Sequence, residues 1–214
     1  MQESKPHGLL SSFLYAFLCR RIYYLRNFLS KIGGWHVRKR LFYWEAIGFG
    51  VVCLLGTLGH FLYEWSGENR IVGAFFAVNE STWEHMKLLY VPYFLYILAE
   101  CFSLAREMEN FLAAKAAGAL SGILAIPLIY YFLGGVFGKL PEWVGIAIFF
   151  VSAAIAFAVS HRIMKRDLLR GGAWQGLGFL LLWALLILFV WCTFHPPALP
   201  LFRDGTTGLY GATK

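Results

Sequence analysis

Five apolar runs, each about the 20 residues that an α-helix needs to cross a hydrocarbon core of roughly 30 Å, constrain this chain more than any other feature. They fall at about 41–65, 82–105, 112–137, 142–164 and 173–194. A soluble domain has no means of hiding so much apolar surface: of 214 residues, 59% are hydrophobic, 18% aromatic and only 14% charged. In lipid every backbone N–H and C=O must find a partner inside the protein, and for runs of this length the helix is the solution. The expected fold is an all-α membrane protein with five transmembrane helices. It comprises a basic amphipathic segment over 1–40, a membrane domain over 41–194 and a C-terminal cap over 195–214.

The net charge of +7 does not point to nucleic acid, because the positive residues are unevenly placed. Most Lys and Arg lie in 1–40 and in the turns near 106–115 and 162–170, and alternate connections are therefore basic. That is the pattern of cytoplasmic loops, and it predicts the N-terminus inside and the C-terminus outside. Residues 8–31 interleave Leu9, Phe13, Phe17, Leu25 and Phe28 with Arg20, Arg21, Arg26 and Lys31. This stretch is too interrupted to span, and it suits an interfacial helix whose partners are membrane lipids. The apolar run 9–19 is short and is followed by Arg20 and Arg21, so the first span, not a cleaved signal peptide, is expected to direct insertion. The four cysteines, Cys19, Cys53, Cys101 and Cys192, are scattered without C-x-x-C spacing and read as small apolar fillers.

Against this background the stretch 60–87 stands out, with His60, Glu64, Glu68, Glu80, Ser81, Glu84, His85 and Lys87. In the expected topology His60, Glu64, Glu80, Glu84, His85 and, from the end of span 5, His195 share the outer side. Residues four apart lie on one helix face, so His60/Glu64, Glu80/Glu84 and Ser81/His85 are each expected to point in a common direction. Imidazoles with a carboxylate form a common zinc ligand set, and a catalytic zinc keeps one position for water. The candidate ligands to zinc or another divalent metal are His60, Glu64, His85 and His195. Glu84, Glu80 and Ser81 are the candidate catalytic residues, the carboxylates moving protons to and from a metal-bound water. Ser81-x-x-Glu84 also fits a capping box that closes the first turn of span 2, with Lys87 snorkelling outward.

A second polar group, Glu45, Glu100 and Lys115, falls at similar depth towards the inner side and reads first as a structural ion pair. The connection 66–81, with an apolar middle at 71–78, reads as a half-embedded loop. Pro92 and Pro127 sit inside spans 2 and 3, and Gly118-x-x-x-Gly122 is expected to form an internal helix contact.

The segments His60-Phe-Leu-Tyr-Glu-Trp-Ser-Gly, Asn79-Glu-Ser-Thr-Trp-Glu-His-Met-Lys-Leu and Pro196-Pro-Ala-Leu-Pro-Leu-Phe-Arg-Asp-Gly resemble those of a family of small bacterial multi-pass membrane proteins of unknown function. The resemblance runs from about residue 41 to the end, and it implies a bacterial inner membrane location without an activity. More remotely, Ser81-x-x-x-His85 is similar to one motif of the zinc-dependent membrane hydrolases that include alkaline ceramidases and adiponectin receptors. That group has seven spans and a paired histidine motif in its last helix, whereas His195 stands alone.

Three functions are compatible with these residues. The first is a metal-dependent membrane enzyme that hydrolyses or transfers a lipid or lipid-linked substrate. The second is a small proton-coupled carrier gated by the outer and inner clusters. The third is an accessory subunit docked to a membrane protein partner.

Overall fold

The computed structural model describes residues 38–105 and 107–212. The chain divides into a unit of residues 1–40 and a unit of residues 41–214. Of the first, only 38–40 are described, as the opening of a helix, so the interfacial helix expected at 8–31 lies outside the described residues. In chain order the helices are α1 (Arg38–Trp65), the short α2 (Arg70–Phe75), α3 (Thr82–Leu104), α4 (Phe111–Phe137), α5 (Glu142–Lys165) and α6 (Gly172–Phe194), followed by a single 3-10 turn, Pro200–Phe202. Five of them are long and apolar enough to cross a membrane, and no strand is present among the described residues.

Short connections make neighbouring long helices antiparallel, so the bundle has two distinct ends. The tail end gathers the C-termini of α1, α4 and α6 with the N-termini of α3 and α5. The basic end gathers the opposite termini, with Arg162, Lys165, Arg166 and Arg170.

Helix ends leave backbone donors and acceptors without intrahelical partners, and side chains supply them. Asn69 caps α2 by accepting from the Ile71 N–H at 2.9 Å. The residues expected as a half-embedded loop thus contain a helix of one and a half turns, lying against α3 and α6. At the basic end the Gln175 side-chain oxygen accepts from the backbone N–H groups of Leu112 at 2.9 Å and Ala113 at 3.3 Å, so α6 caps α4. Asn110, buried in the preceding turn, donates to the carbonyls of Ile163 at 3.0 Å and Leu168 at 2.9 Å.

Small residues determine how closely the helices approach. The Gly118-x-x-x-Gly122 stripe faces α5, where a Cβ on Gly118 would sit 2.6 Å from both the Ala156 carbonyl oxygen and the Tyr93 hydroxyl. Gly118→Val should therefore force α4 from α5 and cost about 1–3 kcal/mol by overpacking. The expected readout is a lower thermal midpoint of the detergent-solubilised chain. Gly134→Val, at a position with nothing within 4 Å, should leave it nearly unchanged.

Pro92 in α3 contributes to the α1 contact. Having no N–H, it leaves the Leu88 carbonyl outside the helical ladder, and Gly56 of α1 comes so close that a Cβ there would lie 3.0 Å from that oxygen.

Beyond α6 the tail folds back over the tail end. Phe202 packs on Trp83 with ring centroids 4.5 Å apart, and Trp83 packs on Phe189 at 4.6 Å. The Ala212 N–H donates to the Thr193 carbonyl at 3.2 Å, and the Asn79 side chain donates to the Gly211 carbonyl at 3.1 Å. Asp204 organises the turn, its Oδ1 accepting from the Thr206 N–H and hydroxyl, each at 2.7 Å, and from the Thr207 N–H at 3.1 Å. Burial pushes the Asp204 carboxyl up, but those donors outweigh it and hold the group below its ordinary range.

Candidate functional site

Three of the side chains singled out in the sequence converge at the tail end: His60 from the last turns of α1, Glu80 from the residue before the α3 cap, and His85 from the first turn of α3. His60 Nε2 lies 3.1 Å from Glu80 Oε1, and His85 Nε2 lies 3.7 Å from Glu80 Oε2. One ligand atom from each falls within 4.8 Å of the others. Ligands bonded at about 2.0–2.1 Å to a tetrahedral zinc stand roughly 3.3 Å apart, so both observed separations are close to those of a coordinated set. The side chains remain 30% exposed for His60, 45% for Glu80 and 27% for His85, which leaves one side open.

Backbone geometry selects the chemical form of His85. Its Nδ1 lies 2.9 Å from the Ser81 carbonyl oxygen. A carbonyl only accepts, so Nδ1 carries a hydrogen, and Nε2 is the ring atom turned towards Glu80. An imidazole held this way is the usual arrangement of a metal-ligating histidine. The His60 hydrogen bond above all, opposed by burial and assisted by the neighbouring imidazoles, holds the Glu80 carboxyl below its ordinary range. Asp204 in the tail adds negative potential at Glu80, as exposed Glu64 does at His60.

Glu84, Ser81 and His195 lie elsewhere. Glu80 precedes the cap, so the four-residue spacing that would align it with Glu84 on one helix face does not apply: Glu80 turns to the histidines and Glu84 turns inward. The Ser81 hydroxyl accepts from the Glu84 N–H at 3.3 Å, as a helix cap should. The Glu84 carboxylate, instead of reaching back to Ser81 as in a capping box, accepts from the Val78 N–H at 3.1 Å and pairs with Lys87 Nζ at 2.6 Å. Lys87 does not snorkel outward. It is fully buried, and its ammonium also donates to the Gly73 carbonyl at 2.8 Å and the Thr193 hydroxyl at 2.7 Å. Glu84 and Lys87 thereby join α3 to α2 and α6. His195, the residue closing α6, is exposed and stacks on Trp191 with centroids 4.4 Å apart.

The inner group also assembles, near the basic end. Lys115 Nζ lies 2.5 Å from Glu100 Oε2 and 2.9 Å from Glu45 Oε1. The reading from sequence missed Ser160, whose hydroxyl sits 3.1 Å and 3.0 Å from the two Glu45 oxygens. It missed Lys87 and Thr193 as the partners of Glu84 as well. A serine followed by His161 in the last two turns of a mostly apolar span was the available signal for the first. No comparable signal marked Thr193, which becomes a partner only when α6 packs on α3.

A family model described as a family of unknown function, DUF6512, matches residues 35–212. No curated protein and no solved structure matches the chain.

Proposed function

We propose a metal-assisted reaction at the membrane surface for this chain, which belongs to DUF6512, the family of unknown function. His60, Glu80 and His85 would hold a divalent cation, with zinc best suited to two imidazole nitrogens and one carboxylate oxygen. The observation that carries this reading is the convergence of three ligand atoms within 4.8 Å at a place still open on one side. Three protein ligands with a free position are what a catalytic zinc site needs to bind and ionise water. Hydrolysis or group transfer on a lipid or lipid-linked substrate is the reaction class in keeping with such a site at a bundle end. Glu84 is already bonded to Lys87 and Val78, so the proton-carrying role falls to exposed Glu64.

The uneven placement of Lys and Arg supports a topology with the basic end on the cytoplasmic side and the metal site outside, and the resemblance to small bacterial membrane proteins supports an inner-membrane location. A carrier would need a hydrated route between the two polar clusters. Val52, Leu89, Tyr90, Ala119 and Ala153 between them are all buried to 0% exposure, and this apolar packing favours the enzyme over the carrier.

The test is metal content. The purified full chain in lipid nanodiscs, dialysed against zinc, is expected to retain one ion per chain and to lose it in His60→Ala and Glu80→Gln. Equal retention in these variants, or none in the unaltered chain, would overturn the assignment.

A further inference from the structure

The inner cluster contains a charge imbalance that its surroundings do not tolerate. Glu100 and Lys115 are 0% exposed and Glu45 is 5% exposed, so among the described residues two carboxylates share one ammonium in the low-dielectric interior of the bundle. Lys115 directs its charge to both, at 2.5 Å and 2.9 Å, with the rings of Phe157, Tyr93 and Phe111 packed around it at 5.4, 5.8 and 5.8 Å. Ser160 supplies a hydroxyl to Glu45. Among the described residues nothing comparable serves Glu100: its Oε1 is buried without a hydrogen-bond partner.

A buried carboxylate without a counter-ion is strongly disfavoured, and such a group takes up a proton instead of remaining charged. A second cation would have to sit against the Lys115 ammonium, whereas a proton adds neutrality without adding a neighbouring ion. We propose that Glu45 and Glu100, bridged by Lys115, form a buried proton-binding site that holds one proton between the two carboxyl groups. The proton belongs to the pair.

Other groups facing the site are consistent with this occupancy. Tyr93 and Tyr96 on α3 are neutral phenols at physiological pH. The Tyr96 hydroxyl donates to the Trp44 carbonyl at 2.6 Å. On α5, His161 follows Ser160, with its Nδ1 buried and unpartnered and its ring edge-on to Phe42. Lys165 lies one turn further on. The titratable side chain of α6, Cys192, is at the opposite end. Glu100 and Lys115 each lie four residues inside their helix ends, roughly 6 Å at 1.5 Å per residue. The site is thus within about one helical turn of the basic end, close enough for exchange with that aqueous side.

The experiment is infrared difference spectroscopy of the full chain in nanodiscs, reading the deuterium-sensitive C=O stretch of a protonated carboxylic acid at neutral pH. Glu45→Gln and Glu100→Gln should each abolish the band, because either leaves one carboxylate matched to Lys115. Lys115→Met should enlarge it about twofold, because both carboxyls must then be neutral. A band undiminished in both Gln variants would overturn the proposal. If a variant does not fold, the unaltered chain decides: a band that bleaches as pH rises supports the site, and the absence of any band down to mildly acidic pH overturns it. The readout involves no metal, so it stands or falls separately from the zinc assignment at the tail end.

Discussion

Lys87→Met is expected to lower the unfolding free energy by about 3–5 kcal/mol, the usual cost of removing one partner from a buried ion pair. The lysine is fully buried, and its ammonium satisfies Glu84 at 2.6 Å, the Thr193 hydroxyl at 2.7 Å and the Gly73 carbonyl at 2.8 Å. Methionine fills much of the same volume but leaves the Glu84 carboxylate buried without its counter-ion and takes the ammonium from the Gly73 carbonyl. Most of the penalty is that uncompensated charge, so Glu84→Gln combined with Lys87→Met should be less damaging than Lys87→Met alone. Thermal unfolding of the three proteins in one detergent checks the ordering. A single variant no worse than the double would show that the pair does not act as a buried charge couple. Because Gly73 and Val78 are held through this pair, hydrogen exchange in 70–80 should accelerate in the single variant.

His85→Ala is expected to weaken zinc binding by about 100-fold or more, since changes to groups that merely orient a ligand already cost about 10–100-fold. His195→Ala should leave the affinity unaltered, because that ring stacks on Trp191 away from the three convergent side chains. Competition against a chromophoric chelator measures both. Equal losses in the two variants would point to a general disturbance of the tail end, and equal retention would remove His85 from the ligand set. Both sequence-level candidates are histidines near helix ends, and their difference lies entirely in where the tail and α3 put them.

That contrast shows where reading from sequence stopped. His60 and His85 could be named from composition and topology, as could the inner trio of Glu45, Glu100 and Lys115, because ionisable residues in apolar spans are rare and costly. Their partners could not. Residues four apart share a helix face, but Glu80 and Glu84 do not, because Ser81 is the cap and Glu80 stands outside the helix. Lys87 was expected to reach for water, yet the carbonyl of Gly73 and the hydroxyl of Thr193 waited for it inside, contributed by elements 14 and 106 residues away. The 66–81 connection was legible as partly apolar, but its short helix depends on the Asn69 cap and on packing against α3 and α6.

The sequence by itself determined the number, length and order of the spans, because crossing a hydrocarbon layer is a one-dimensional requirement that each apolar run either meets or does not. Tertiary structure alone decided which polar side chains meet. At about 100° of turn per residue, a helix presents a given group to solvent, lipid or neighbour according to its rotation and depth. Here those are set by contacts between distant segments, among them Gly56 on the Leu88 carbonyl and Gly118 on Ala156.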